Sequence, residues 1–214
     1  MAYAPEVRFY LFGLPVTETV TTTWIIMIVL CFIGWLGGRS LKTIPGKFQN
    51  VIELYVNTIN NLTKSTMGSD KMGFAPYIGT LILLIASCNL SGLVGFRAPT
   101  ADLNTTFALS LLTFFLTQFN GFRRKKLGYL KGMTEPYVFL LPSNIIGEIS
   151  NPISLAFRLF GNITGGLIIM DLIYSVTPLV IPVLPHVYFD VFSGLLQSFI
   201  FTMLSMVFIS GAMD

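Results

Sequence analysis

Apolar residues gather into five long stretches, roughly 23–41, 74–94, 104–122, 137–180 and 187–212. A helix needs about 20 such residues to cross a hydrocarbon core about 30 Å thick. Between the first two stretches, residues 46–68 follow a different rhythm. Phe48, Val51, Ile52, Tyr55, Ile59 and Leu62 recur at helical spacing, while Asn, Gln, Glu and Lys fill the other face. That pattern predicts an amphipathic helix lying in the membrane interface. The expected fold is all-α: a polytopic membrane protein with five membrane-spanning helices plus the interfacial one. A single membrane domain covers 1–214, with 1–22 as an external N-terminal segment.

The fourth stretch is too long to stand upright. Its residues make roughly 66 Å of helix at 1.5 Å per residue, about twice the hydrocarbon thickness. A hairpin needs a polar turn, and none stands between Ser154 and Thr177. The expectation is one strongly tilted helix, kinked at Pro152.

Composition supports the membrane assignment. Hydrophobic residues make up 53% of the chain and charged residues 11%, with mean hydropathy +0.74. Soluble domains carry about 25% charged residues, so a soluble enzyme is excluded. An aromatic share of 14% excludes disorder. Cys31 and Cys88 lie inside apolar stretches and read as small core residues. The first 20 residues have no basic start followed by an apolar run, so no signal peptide is expected.

The basic residues set the orientation. Arg39, Lys42, Lys47, Lys64 and Lys71 fall between the first and second spans, and Arg123, Arg124, Lys125, Lys126 and Lys131 between the third and fourth. Only Arg8 and Arg97 fall on the opposite side. The expected topology has the N-terminus outside and the C-terminus in the cytoplasm.

A few charges remain inside the apolar stretches: Glu148, Arg158 and Asp171 in the fourth, and Asp190 in the fifth. An arginine at a helix centre costs roughly 2.5–3.5 kcal/mol on insertion scales, so Arg158 requires compensation. Asn144, Glu148, Asn151, Ser154, Arg158 and Asn162 recur every three or four residues, which places them on one helix face. Gly161, Gly165 and Gly166 extend that face as a smooth surface. A helix–helix seam accounts for the small residues but not for a central arginine. Asp190, Ser193, Gly194, Gln197 and Ser198 form a stripe on the last helix. Gln197 is placed to bond Arg158 if the two helices pack antiparallel. Acids thus flank one fixed cation on both sides, a layout suited to two ion pathways that do not join. His186 is the one histidine, and its expected role is an interfacial aromatic. The chain has no metal-ligand spacing, P-loop, Rossmann fingerprint or GxSxG. An intramembrane enzyme is therefore disfavoured, and the absence of internal repeats disfavours a self-contained secondary transporter.

The run Ser154-Leu-Ala-Phe-Arg-Leu-Phe-Gly-Asn162, with Asn151-Pro-Ile-Ser-Leu155 before it, Gly165-Gly166 after it and the later Gln197-Ser-Phe-Ile-Phe201, resembles subunit a of the F-type ATP synthases. The resemblance implies a stator ion channel whose tilted helix faces a rotating c-ring. Two offset half-channels carry H+ or Na+ to and from the ring carboxylates. Arg158 matches the family's essential arginine, which draws the ring carboxylate and separates the half-channels. Asn162 and Gln197 match positions that face the ring or orient the arginine. Ser154, Gly161, Gly165 and Gly166 become a ring-facing surface. Leu167 stands where family members often carry an acid, with Asp171 one turn on. At about 100° per residue, Asp171 lies about 220° round the helix from Arg158, away from the ring and toward the last helix. Asp190 matches the partnering position on that helix. Asn144 stands where a glutamate is frequent, with Glu148 one turn on. The resemblance also implies a b-type peripheral stalk and membrane lipid as partners, a cell-membrane location, no bound cofactor, no nucleic acid and no nucleotide chemistry in this chain.

Overall fold

The computed structural model describes residues 7–11, 13–39, 46–126, 141–176 and 182–213. The basic residues Lys42 and Lys131, and the stretches 137–140 and 177–180, lie outside them.

The fold is all-α, with one short addition in the N-terminal segment. Strands β1 (Val7–Leu11) and β2 (Leu14–Thr17) pair antiparallel around Gly13, whose φ is 83°. That left-handed conformation suits glycine in a tight hairpin turn. Val-Arg-Phe-Tyr-Leu is rich in β-branched and aromatic residues, but it is too short to stand out beside the membrane helices.

Six helices follow. They are α1 (Glu18–Arg39), α2 (Lys47–Met67), α3 (Ala75–Leu90), α4 (Leu103–Lys125), α5 (Leu141–Val176) and α6 (residues 183–213). Short 3₁₀ turns lead into and out of α3, and α6 contains a π-helical segment, Val187–Ser193. Among the described residues four helical segments are long and apolar enough to cross a membrane: Glu18–Arg39, Ser69–Val94, Ile146–Val176 and Val187–Met213.

Helix α4 is long enough but too polar to be among them, and its burial pattern shows why. Thr106, Ser110, Thr113, Thr117 and Gly121 are buried, while Leu111, Leu112, Phe115, Phe119 and Phe122 face outward. Its hydroxyls mostly cap carbonyls of its own preceding turn. The polar stripe thus costs little inside the bundle, and apolar surface remains for lipid.

Two apolar clusters hold the bundle. One joins Leu81, Ile85, Leu155, Leu159, Ile163 and Phe201. The other joins Ile59, Met67, Ile78, Met206 and Ile209, so α2 packs its apolar stripe on α3 and α6. The Tyr55 hydroxyl donates to Gly79 O at 2.6 Å, and burial pushes its pKa up to about 12. Helix α1 stands apart, with only Thr19 and Thr22 buried. Cys31 is accordingly exposed rather than a core residue, whereas Cys88 is buried, and both are free thiols.

Polar contacts sort the helix termini into two ends. At one end, Thr19 donates to Asp102, which also caps α4 through Asn104 N–H. At the other, Arg124 lies 3.8 Å from Asp70, and buried Lys71 donates to Ser210 Oγ at 2.8 Å near the close of α6. The basic residues after α4 and those before α3 therefore share one end of the bundle.

Between the ends, Asn89 organises a buried polar knot. Its amide donates to Gly194 O and Ser198 Oγ, and its carbonyl accepts from Thr100. A Cβ at Gly194 would sit 3.1 Å from Asn89 Cβ, so the glycine admits the asparagine. Asn89→Leu is expected to cost about 1–3 kcal/mol, chiefly by taking the acceptor from the buried Thr100 hydroxyl, seen as an earlier thermal melt of the detergent-solubilised protein.

Candidate functional site

Helix α5 runs unbroken from Leu141 to Val176 through Pro152. Proline at 152 removes the helix bond to the Glu148 carbonyl. The uninterrupted course matches a single long helix rather than a hairpin over the described residues.

Arg158 is exposed on this helix, as are Ser154 and Gly161, with Ile153 and Phe157 beside them. No hydrogen bond or ion pair reaches Arg158 among the described residues. The guanidinium therefore stands on an outward surface of mostly small and apolar side chains.

The neighbouring face of α5 meets α6. Asn162 Nδ2 donates to Ser193 Oγ at 2.9 Å, and the Ser193 hydroxyl lies 3.2 Å from Asn162 Oδ1. Gly166 is buried under Phe189, whose Cδ1 would be 3.3 Å from a Cβ there. This corrects the expectation that Gly166 belongs to the smooth outer surface: it receives an aromatic ring from α6. Gly165 is half-buried. The two helices run antiparallel, 162 opposite 193 and 166 opposite 189. One turn further in that register, Arg158 stands level with Gln197.

The expected Arg158–Gln197 bond is not formed. Gln197 is 4% exposed, and its Nε2 has no acceptor among the described residues. Gln197 lies within the bundle, whereas Arg158 projects away from it.

Glu148 Oε2 accepts from Gln118 Nε2 of α4 at 2.8 Å, and Asn144 is half-buried one turn earlier. Asp171 is exposed, with no bond to α6 or any other described residue. This departs from the expectation that Asp171 turns toward the last helix; Tyr174 makes that contact instead. The Tyr174 hydroxyl is 2.7 Å from His186 Nε2, and His186 Nδ1 is 2.5 Å from Asp190 Oδ2.

His186 is thus bonded to Asp190 rather than standing as an isolated aromatic. The i,i+4 spacing of the two was visible in the sequence. The participation of Tyr174 depends on how α5 and α6 meet. The π-helical segment beginning just after His186 also changes which residues share a face, and no periodicity signals it.

The fold and site define a multi-pass membrane protein with one arginine exposed on a long apolar helix and carboxylates on either side of it along the chain. A family model described as the ATP synthase A chain matches residues 20–210. The sodium-ion-specific ATP synthase subunit a of Propionigenium modestum is 36% identical over 227 residues, covering 98% of this chain and 78% of that protein. ATP synthase subunit a 1 of Syntrophotalea carbinolica is 38% identical over 200 residues, covering 91% and 85%. ATP synthase subunit a of Moorella thermoacetica is 36% identical over 208 residues, covering 96% and 95%. The chain belongs to the ATP synthase A chain family and is an ion-translocating membrane subunit of ATP synthase.

Proposed function

We propose that the chain is the stator channel of a rotary F-type ATP synthase, passing H+ or Na+ through two offset half-channels to and from the carboxylates of a c-ring. The observation that carries this reading is the exposed Arg158. A charge at mid-helix is costly against lipid, so the surface around it calls for a protein partner that brings an anion. A rotor carboxylate supplies that anion and leaves as the ring turns. A permanent intrachain partner would defeat this by holding the guanidinium in place.

Ser154, Gly161 and Gly165 then flank the contact as a surface without projections. Asn162, held by Ser193, fixes the flank of the helix beside the arginine, and Gln197 lies level with it inside the bundle. Gly166 acts indirectly, by seating Phe189. Glu148 and Asn144 belong to the cytoplasmic half-channel, and Asp190 and Asp171 to the outer one. Helix α4 crosses as a fifth span, with its polar stripe turned to α5 and α6. Helix α5, about 54 Å long at 1.5 Å per residue, tilts to fit the bilayer. The N-terminus lies outside, and the basic end of the bundle faces the cytoplasm. The weakly buried α1 is left for lipid and a b-type stalk helix, and the complex sits in the cell membrane. The sodium-specific relative keeps Na+ beside H+ as the translocated ion.

Affinity purification through this chain from gently solubilised membranes tests the assignment. Ring subunits and the catalytic head are expected to co-purify. A pulldown retaining neither sinks the proposal.

A further inference from the structure

The Tyr174–His186–Asp190 cluster is not required by the arginine's role, yet it links a phenol, an imidazole and a carboxylate by hydrogen bonds. It joins the C-terminal part of α5 to the start of α6. His186 Nδ1 bonds Asp190, His186 Nε2 bonds the Tyr174 hydroxyl, and the two rings lie 5.7 Å apart. Tyr174 is 45% exposed, and the side chains of His186 and Asp190 are 33% and 17% exposed. Access therefore falls stepwise from phenol to carboxylate. Gly92 backs the carboxylate: a Cβ there would lie 4.0 Å from Asp190 Cγ. Among the described residues, the other charged or titratable groups on the surrounding elements are Glu148, Arg158 and Asp171 on α5, Tyr188 on α6, Tyr77 and Cys88 on α3, and Arg97 in the turn beyond Gly92.

Resting on the translocation role above, we propose that Tyr174, His186 and Asp190 form a proton-loading site at the outer mouth of the ion path. In the unloaded state the imidazole is neutral. Nδ1–H donates to the Asp190 carboxylate, Nε2 accepts from the Tyr174 hydroxyl, and the pair carries a charge of about −1. One proton from outside water loads Nε2. The ring becomes imidazolium, the pair becomes neutral, and the phenol oxygen changes from donor to acceptor. Unloading passes one proton inward, to water or to a rotor carboxylate, and restores the starting charge. No covalent bond changes beyond N–H and O–H. A phenol serves both states because it both donates and accepts, and the imidazole carries two nitrogens, either of which can hold a proton. Sodium gains little here, because hard cations take sets of oxygen ligands and Asp190 Oδ2 is engaged by the ring.

The test is gradient-driven ATP synthesis by the reconstituted whole complex, across a range of outer pH at fixed sodium. His186→Gln is expected to lose about tenfold at alkaline outer pH, below the about 100-fold or more typical of a positioned proton-transfer group because water still reaches Asp190. The deficit shrinks in acid, where protons are plentiful. Tyr174→Phe keeps the ring packing and is expected to move the profile the same way, by less. Unchanged rates and profiles in both variants overturn the proposal. So does a uniform loss at every pH, the mark of a merely structural role. Rates that follow outer sodium at fixed pH, with both variants normal, overturn it too. If His186→Gln fails to assemble, Tyr174→Phe decides. Arg158→Ala runs alongside. Coupled synthesis surviving in that variant would topple the translocation reading itself. Its loss beside a normal His186→Gln removes only the loading site.

Discussion

Arg158→Ala is expected to abolish ion-coupled ATP synthesis, by roughly 100-fold or more, the scale seen when a preorganised charge is removed from a reacting group. Assembly is expected to survive. The guanidinium is exposed and makes no bond to the described residues, and substitutions away from packing features usually stay within about 0.5 kcal/mol. Synthesis and complex content, measured on the same membranes, separate the two effects. Normal coupled synthesis in assembled mutant membranes refutes the role. Lysine is a poor replacement, because its compact, strongly hydrated ammonium lacks the guanidinium fork.

The second large effect concerns the two outer acids. Asp190→Asn is expected to slow translocation by about tenfold or more, whereas Asp171→Asn stays within about twofold, as for a solvated surface group. The structure supplies the reason. Asp190 is held by His186 and backed by Gly92. Asp171 is exposed and bonds nothing among the described residues. Ion-uptake rates in proteoliposomes carrying each variant decide the ranking, and equal or reversed rates overturn it.

Much of the architecture was readable from periodicity. Residues 46–68 showed their amphipathic rhythm, and α2 spans Lys47–Met67. The third stretch was placed at 104–122, and α4 spans Leu103–Lys125. Solvent preference and helical period are local properties, so spacing alone reveals them. Pairings across helices are not local. Gly161 and Gly166 read alike in sequence, yet one is exposed and the other lies beneath Phe189. Gln197 and Arg158 come level, as antiparallel packing requires, but the phase of each helix turns them apart. Tyr174 carried no motif, and only the meeting of α5 with α6 gives it a partner. The hairpin at residues 7–17 was hidden because its short apolar alternation sits beside far longer apolar runs.

As the fifth span proposed above, helix α4 has a consequence for biogenesis. A segment whose buried stripe is Thr106, Ser110, Thr113, Thr117 and Gly121 gains little by leaving a translocation pore for lipid alone. The surfaces that accept that stripe, on α5 and α6, are synthesised after it. The nascent chain must therefore hold α4 beside the insertion machinery, or at the interface, until its later neighbours emerge. Residues 103–125 then enter the bilayer as part of a helical group and not as a lone hydrophobic segment.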